Sequence, residues 1–225
     1  MKSLHMRAMA GLLSVLAFLA AGTFLPAWTL HYWQAWLCLA VFFAASAAIT
    51  IYLAKHDPEL LARRLKAGAR AEQEKSQKII QSFTRVYFLL LFVAPALDHR
   101  FGWSRVPAAA SLAGDALMAI GFAVVFVVFK ENTYTSGVIE VAAGQKVIST
   151  GPYSLVRHPM YSGALLMLLG IPMALGSWWG LLLFPPMAGA IVWRLLDEEK
   201  FLAANLPGYS NYQARVAYRL APHLW

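Results

Sequence analysis

The chain has 225 residues, of which 60% are apolar or aromatic and 13% charged, and a formal net charge of +8. An ordinary soluble domain has about half and about a quarter respectively, and a globule this small leaves too much surface to hide the excess. These proportions exclude a soluble enzyme and a disordered chain, and the single cysteine, Cys38, excludes an intramolecular disulfide scaffold and a cysteine zinc cluster.

A spanning helix needs about 20 mostly apolar residues. Four stretches reach or approach that length, at 8–25, 30–53, 83–97 and 107–129. The first contains Ala20-Ala21-Gly22, which looks like a signal cleavage site, but the next span follows within a few residues, so a retained helix is expected. After the second span, Asp57-Pro58-Glu59 predicts a helix start, with Asp57 as cap, Pro58 in the first helical position and Gly68 as the stop. Leu60, Leu61 and Leu65 give this helix an apolar face that lies along the inner leaflet, or else the whole stretch is a solvated, charge-rich linker. The last apolar block, 159–196, is too long for one span and is interrupted at Gly170-Ile171-Pro172, at Gly176–Gly180 and at Pro185-Pro186. It predicts a helical hairpin with its turn near Trp178 and Trp179 and arms of about 24 Å. The expected fold is an all-α integral membrane helical bundle of about five to six transmembrane helices. Residues 1–129 form a four-span bundle, and 130–225 carry the polar segment and the hairpin.

Lysine and arginine counts set the orientation. The N-terminal tail carries two and the first loop none; the loop 55–85 carries eight, 98–106 two, and everything from Lys130 onward seven. This alternation predicts both termini and the loop 55–85 in the cytoplasm. The positive charge is then an orientation signal with attraction to anionic lipid, and the bilayer rather than nucleic acid is the expected partner.

Polar residues concentrate in two places on the same predicted side. Residues 144–163 begin with strand-like alternation around an Ala-Ala-Gly turn. They then gather Gly-Pro, His-Pro, two tyrosines and a cation directly ahead of an apolar helix. Irregular backbone at that depth is covered by protein or lines a wet cavity, and the helix start favours a bound anion. The second cluster, Arg194-Leu195-Leu196-Asp197-Glu198-Glu199-Lys200, puts Arg194 and Glu198 on one helix face. Its three acids stand at a predicted helix end whose dipole disfavours them, so something must compensate. Asp115 is an intramembrane acid on the opposite side, and the remaining histidines show no metal-ligand spacing, so no metal is expected.

The ordered set Gly151-Pro152-Tyr153, Arg157-His158-Pro159-x-Tyr161-x-Gly163, Arg194-x-x-x-Glu198-Glu199-x-x-Leu202 and Gly208-Tyr209-x-x-Tyr212 resembles the isoprenylcysteine carboxyl methyltransferase family. That wider group includes integral-membrane phospholipid N-methyltransferases and thiol methyltransferases. The resemblance covers roughly residues 130–225 and implies a cytoplasmic pocket for S-adenosyl-L-methionine. By position, Gln145, Lys146, Val147, Ile148 and Tyr153 correspond to the segment lining the adenosine. His158, Pro159, Met160 and Tyr161 correspond to the one cradling the methionine portion. Glu198 corresponds to the acid that binds the cofactor, and Arg194 to the catalytic arginine near the methyl acceptor. Gln145 stands where eukaryotic prenylcysteine enzymes commonly have histidine.

The chemistry of the residues agrees. Glu198 accepts hydrogen bonds from hydroxyls or an ammonium, and Arg157, His158 or helix-start N–H groups suit a carboxylate. Tyrosine faces suit a sulfonium, and Arg194 suits an anionic acceptor because its guanidinium stays charged. The expected function is methyl transfer to a lipophilic or small thiol, amine or carboxylate acceptor. Two other readings stand beside it. Sterol-type reductases using NADPH have a similar C-terminal layout, though they usually carry an acid soon after the tyrosine, where this chain has Ser162-Gly163-Ala164. A transporter or assembly factor is disfavoured because broken helices occur in only one half of the chain.

Overall fold

The computed structural model describes residues 2–65, 72 and 74–225, with the side chains of residues 2 and 3 left aside. Gly68, the expected helix stop, lies outside the described residues. Among the described residues eight α-helices follow in order: α1 Lys2–Ala27, α2 Trp33–His56, α3 Pro58–Arg64, α4 Lys75–Phe101, α5 Ala108–Glu131, α6 Pro159–Ala174, α7 Phe184–Asn205 and α8 Tyr209–Arg215. Five of these described helices are long and apolar enough to cross a membrane: α1, α2, α4, α5, and α7 together with the 3-10 turn Trp179–Leu183 that leads into it. The shorter α6 completes an all-α integral membrane bundle.

The structure departs from the sequence reading in four places. Helix α4 begins two turns before the apolar run, because its polar start buries Gln77 and Ile80 against protein. No strand occurs among the described residues, and the alternating stretch 138–148 is irregular. Its polar backbone groups are met by side chains: Ile139 N–H donates to Glu72 Oε2 at 3.3 Å, and Ala142 N–H to Gln145 Oε1 at 2.9 Å. Helix α3 starts as expected, with Leu60 N–H donating to Asp57 Oδ1 at 2.9 Å and Pro58 in its first turn. Its apolar face meets neither lipid nor water, because Leu60 and Leu61 are buried in a cluster with Leu53, Val128 and Phe129. Finally, α7 runs on to Asn205, so Asp197, Glu198 and Glu199 lie inside a helix and the second hairpin arm is longer than the first.

The hairpin turn falls at Gly176–Trp178, between α6 and the 3-10 turn, and is bolted to the bundle. Ser177 Oγ donates to Asp98 Oδ2 at 2.5 Å, and Tyr32 Oη to the Leu175 carbonyl at 2.5 Å. At the other end, the start of α6 must face the end of α5, and four glycines make that possible. A Cβ on Gly121 would lie 2.5 Å from the Gly163 carbonyl oxygen, and one on Gly170 would lie 2.6 Å from that of Gly114. The two helices therefore pack antiparallel along a seam that admits no side chain at these points. The alanine-rich run of α2 makes no such seam, and Ala44 and Ala48 are exposed.

Gly121→Ala is expected to destabilise the bundle by about 1–3 kcal/mol through overpacking. Gly189→Ala, where a Cβ meets nothing within 4 Å, is expected to be neutral or slightly stabilising. Thermal unfolding of the two purified variants in one detergent checks the difference.

Candidate active site

The segment 132–158, the start of α6, the last turns of α7 and helix α8 surround one cavity that holds about 100 Å³ of water-sized space and opens to solvent. Gln145, Lys146, Val147, Ile148 and Tyr153 line one side, and His158, Pro159, Met160 and Tyr161 line the start of α6. Glu198 and Arg194 reach in from α7. All eleven residues singled out in the sequence thus share one hollow. Glu131 does not: it bonds Thr150 behind the 3-10 turn Gly151–Ser154. That turn opens on Gly151 with φ +55°, a backbone angle suited to glycine. Asp115 lies near the far end of α5, buried, with neither carboxylate oxygen partnered among the described residues.

The acids of α7 find their compensation in three separate ways. Asp197 accepts from Gln77 Nε2 at 2.9 Å, and Glu198 from the Tyr161 hydroxyl at 2.6 Å. Glu199 is the most heavily engaged. Arg157 Nε donates to its Oε1 at 2.6 Å, His158 Nε2 lies 3.2 Å from the same oxygen, and Arg219 Nε donates to Oε2 at 3.0 Å. A carboxylate only accepts, so the His158 Nε2 in that contact carries a proton. Arg157 also donates to the Val216 and Ala217 carbonyls, at 2.9 and 3.1 Å. It is a buried tie and also lines the cavity.

Residues 216–220 form a strap over the start of α6. The N–H groups of Arg157 and His158 donate to the Tyr218 and Arg219 carbonyls, both at 2.9 Å. Ser162 Oγ donates to the Leu220 carbonyl at 2.6 Å. Tyr212 Oη donates to the Tyr153 carbonyl at 2.7 Å and fixes the wall of the cavity. Burial pushes the phenols of Tyr153, Tyr209 and Tyr212 above their usual range, so they remain donors at neutral pH.

Sequence reasoning missed the partners of Arg194. Its Nη1 donates to Glu72 Oε1 at 2.8 Å and to Gln77 Oε1 at 2.7 Å, its Nε to the Tyr161 hydroxyl at 3.1 Å, and its Nη2 to the Gly137 carbonyl at 3.2 Å. Glu72 and Gln77 lie more than a hundred residues away in sequence, before and at the start of α4, in a stretch that reads as a charged loop. No local spacing signals the contact. The burial of Gln77 on α4 is its only trace.

Glu199→Gln is expected to destabilise the protein by about 3–5 kcal/mol, because it leaves the buried Arg157 guanidinium without its counter-charge. Glu198→Gln, which keeps an acceptor for Tyr161, is expected to cost under about 1.5 kcal/mol. Paired denaturation curves of the two variants test the contrast.

Comparison with known proteins adds one match. Residues 109–207 match the family model described as phospholipid methyltransferase, and no curated protein matches the chain. The matched stretch runs from α5 to the end of α7 and contains most of the cavity wall. This stretch is similar to the membrane methyltransferases, the wider group that the tyrosine, His-Pro and Arg–Glu motifs resemble.

Proposed function

We propose that the protein transfers a methyl group from S-adenosyl-L-methionine to a lipophilic or small thiol, amine or carboxylate acceptor. The observation that carries this reading is the convergence of both motif clusters on one cavity within the matched stretch. The cavity suits such a donor. Its wall mixes apolar side chains (Val147, Ile148, Met160, Leu202, Leu206) with carboxylates at Glu140 and Glu198. The buried Tyr209 hydroxyl on the same wall has no partner among the described residues. An apolar purine, hydroxyls, an ammonium and a sulfonium all find complements there.

The bound donor supplies a methyl on a positive sulfur; the acceptor's lone pair forms the new bond as the carbon–sulfur bond breaks, and its electron pair stays on sulfur. The chain's part is alignment and exclusion of water. Gln145, Lys146, Val147, Ile148 and Tyr153 hold the adenosine. His158, Pro159, Met160 and Tyr161 form the wall against the methionine portion, with His158 kept in place by Glu199. Glu198 Oε2 is occupied by Tyr161, and its other oxygen accepts from a hydroxyl or the ammonium. Arg194, bonded to Tyr161 Oη, stands at the acceptor end and orients the acceptor. A dry cup lowers the barrier because positive charge disperses as the bond to sulfur breaks. Beside this end, an apolar groove lined by Ile79, Phe83, Pro186, Gly189 and Trp193 opens between α4 and α7. It suits the chain of a lipid-borne acceptor. The lysine and arginine distribution puts the cavity and both termini on the cytoplasmic side.

S-adenosylhomocysteine is expected to raise the melting temperature of the purified protein, and Glu198→Ala to weaken its binding by about tenfold or more. No shift in the parent, or an unchanged affinity in the variant, overturns the reading. Incubating native membranes with methyl-labelled donor then identifies the acceptor by its label. For orientation, Asn211→Cys is expected to resist an impermeant maleimide in intact cells and to react in inverted vesicles. The buried Cys38 stays silent in both.

A further inference from the structure

We infer that Glu72, outside the family-matched stretch, is a specificity-determining residue that cancels the charge of Arg194 and closes the acceptor end of the cavity to anions. The inference rests on the proposed reading of that cavity as a methyl-transfer site. Read from sequence alone, Arg194 is a receptor for an anionic acceptor. In the structure its guanidinium spends four of its five N–H groups on protein partners. One partner is a carboxylate whose residue is 4% exposed.

Glu72 is itself tightly fixed. Oε1 accepts from both Arg194 and Gln81, the latter at 3.2 Å, and Oε2 accepts from the Ile139 N–H. It joins α7, α4 and the segment 132–158 at one point. A second carboxylate, Glu198, reaches Arg194 through the Tyr161 hydroxyl. Arg194 therefore sits between two carboxylates, with the Arg64 guanidinium also within electrostatic reach, so its charge is balanced rather than free. The adjoining cavity is acidic. Glu72, Glu74, Glu140 and Asp197 line it, with Lys200 as the single basic residue. An arriving carboxylate or phosphate meets like charge there and finds the guanidinium already taken, whereas a neutral or protonated group meets neither obstacle. Arg194 then serves as a neutralised, rigidly held donor of oriented N–H bonds. Glu72 sets which acceptors reach it.

The test uses two probes with one chain length and opposite charge, hexanoate and hexylammonium, titrated into the purified protein with and without S-adenosylhomocysteine. In the parent, hexylammonium is expected to bind at least about tenfold more tightly than hexanoate. Glu72→Gln is expected to shift that ratio by about tenfold or more toward hexanoate, and the double variant Glu72→Gln with Arg194→Gln to lose the gain. Equal binding of both probes by the parent, binding of neither, or an unchanged ratio in a folded Glu72→Gln variant overturns the inference. The parent comparison decides alone if the variant does not fold. Failure of S-adenosylhomocysteine to stabilise the parent counts against the methyl-transfer reading instead, because the probe titrations run in its absence as well.

Discussion

Burying charge at the rim of an apolar bundle costs several kcal/mol per ion unless each group is met by a partner. Here one carboxylate meets most of that demand. Glu199 binds Arg157, His158 and Arg219. Through them it joins the middle of α7, the residues ahead of α6 and the strap 216–220. His158 and Pro159 then enter the cavity wall at a set angle, with Tyr161 in the next turn and Glu198 next to Glu199. The two adjacent acids divide the work: Glu199 holds the structure together, and Glu198 stands on the cavity wall.

The glycine seam acts at longer range. It lets α6 lie against α5 closely enough that the segment leaving α5 must double back over the start of α6. The irregular stretch 132–158 is thereby confined between helix ends, where side-chain acceptors such as Glu72 and Gln145 replace strand pairing. The cavity is the space left inside that detour.

Much of this was legible in the chain. Hydropathy gave the bundle and the hairpin turn, because Trp178 and the neighbouring glycines interrupt a long apolar run. The motif residues from Gln145 to Tyr161, with Arg194 and Glu198, were readable through the family resemblance, and the polar ones among them stand out beside a membrane helix. Three things were hidden for physical reasons. The polar start of α4 looks like loop, since its buried face carries Gln77 beside a single apolar turn at Ile80. The tie from Arg157 to Glu199 was hidden because a guanidinium ahead of a helix start suits a ligand's carboxylate as well as it suits a protein one. Glu72 gave no signal, since its contact with Arg194 is made only in three dimensions.

The strap has a consequence for how the molecule is made. Residues 216–220 are synthesised after every spanning helix, yet their carbonyls receive the N–H groups of Arg157 and His158 and one of them carries Arg219 to Glu199. Insertion into the bilayer therefore comes first and the wiring of the polar rim last. A nascent chain already threaded through lipid holds an incompletely paired Arg157–Glu199 couple until residues 216–220 have been made, so competence appears only after the spanning helices are in place.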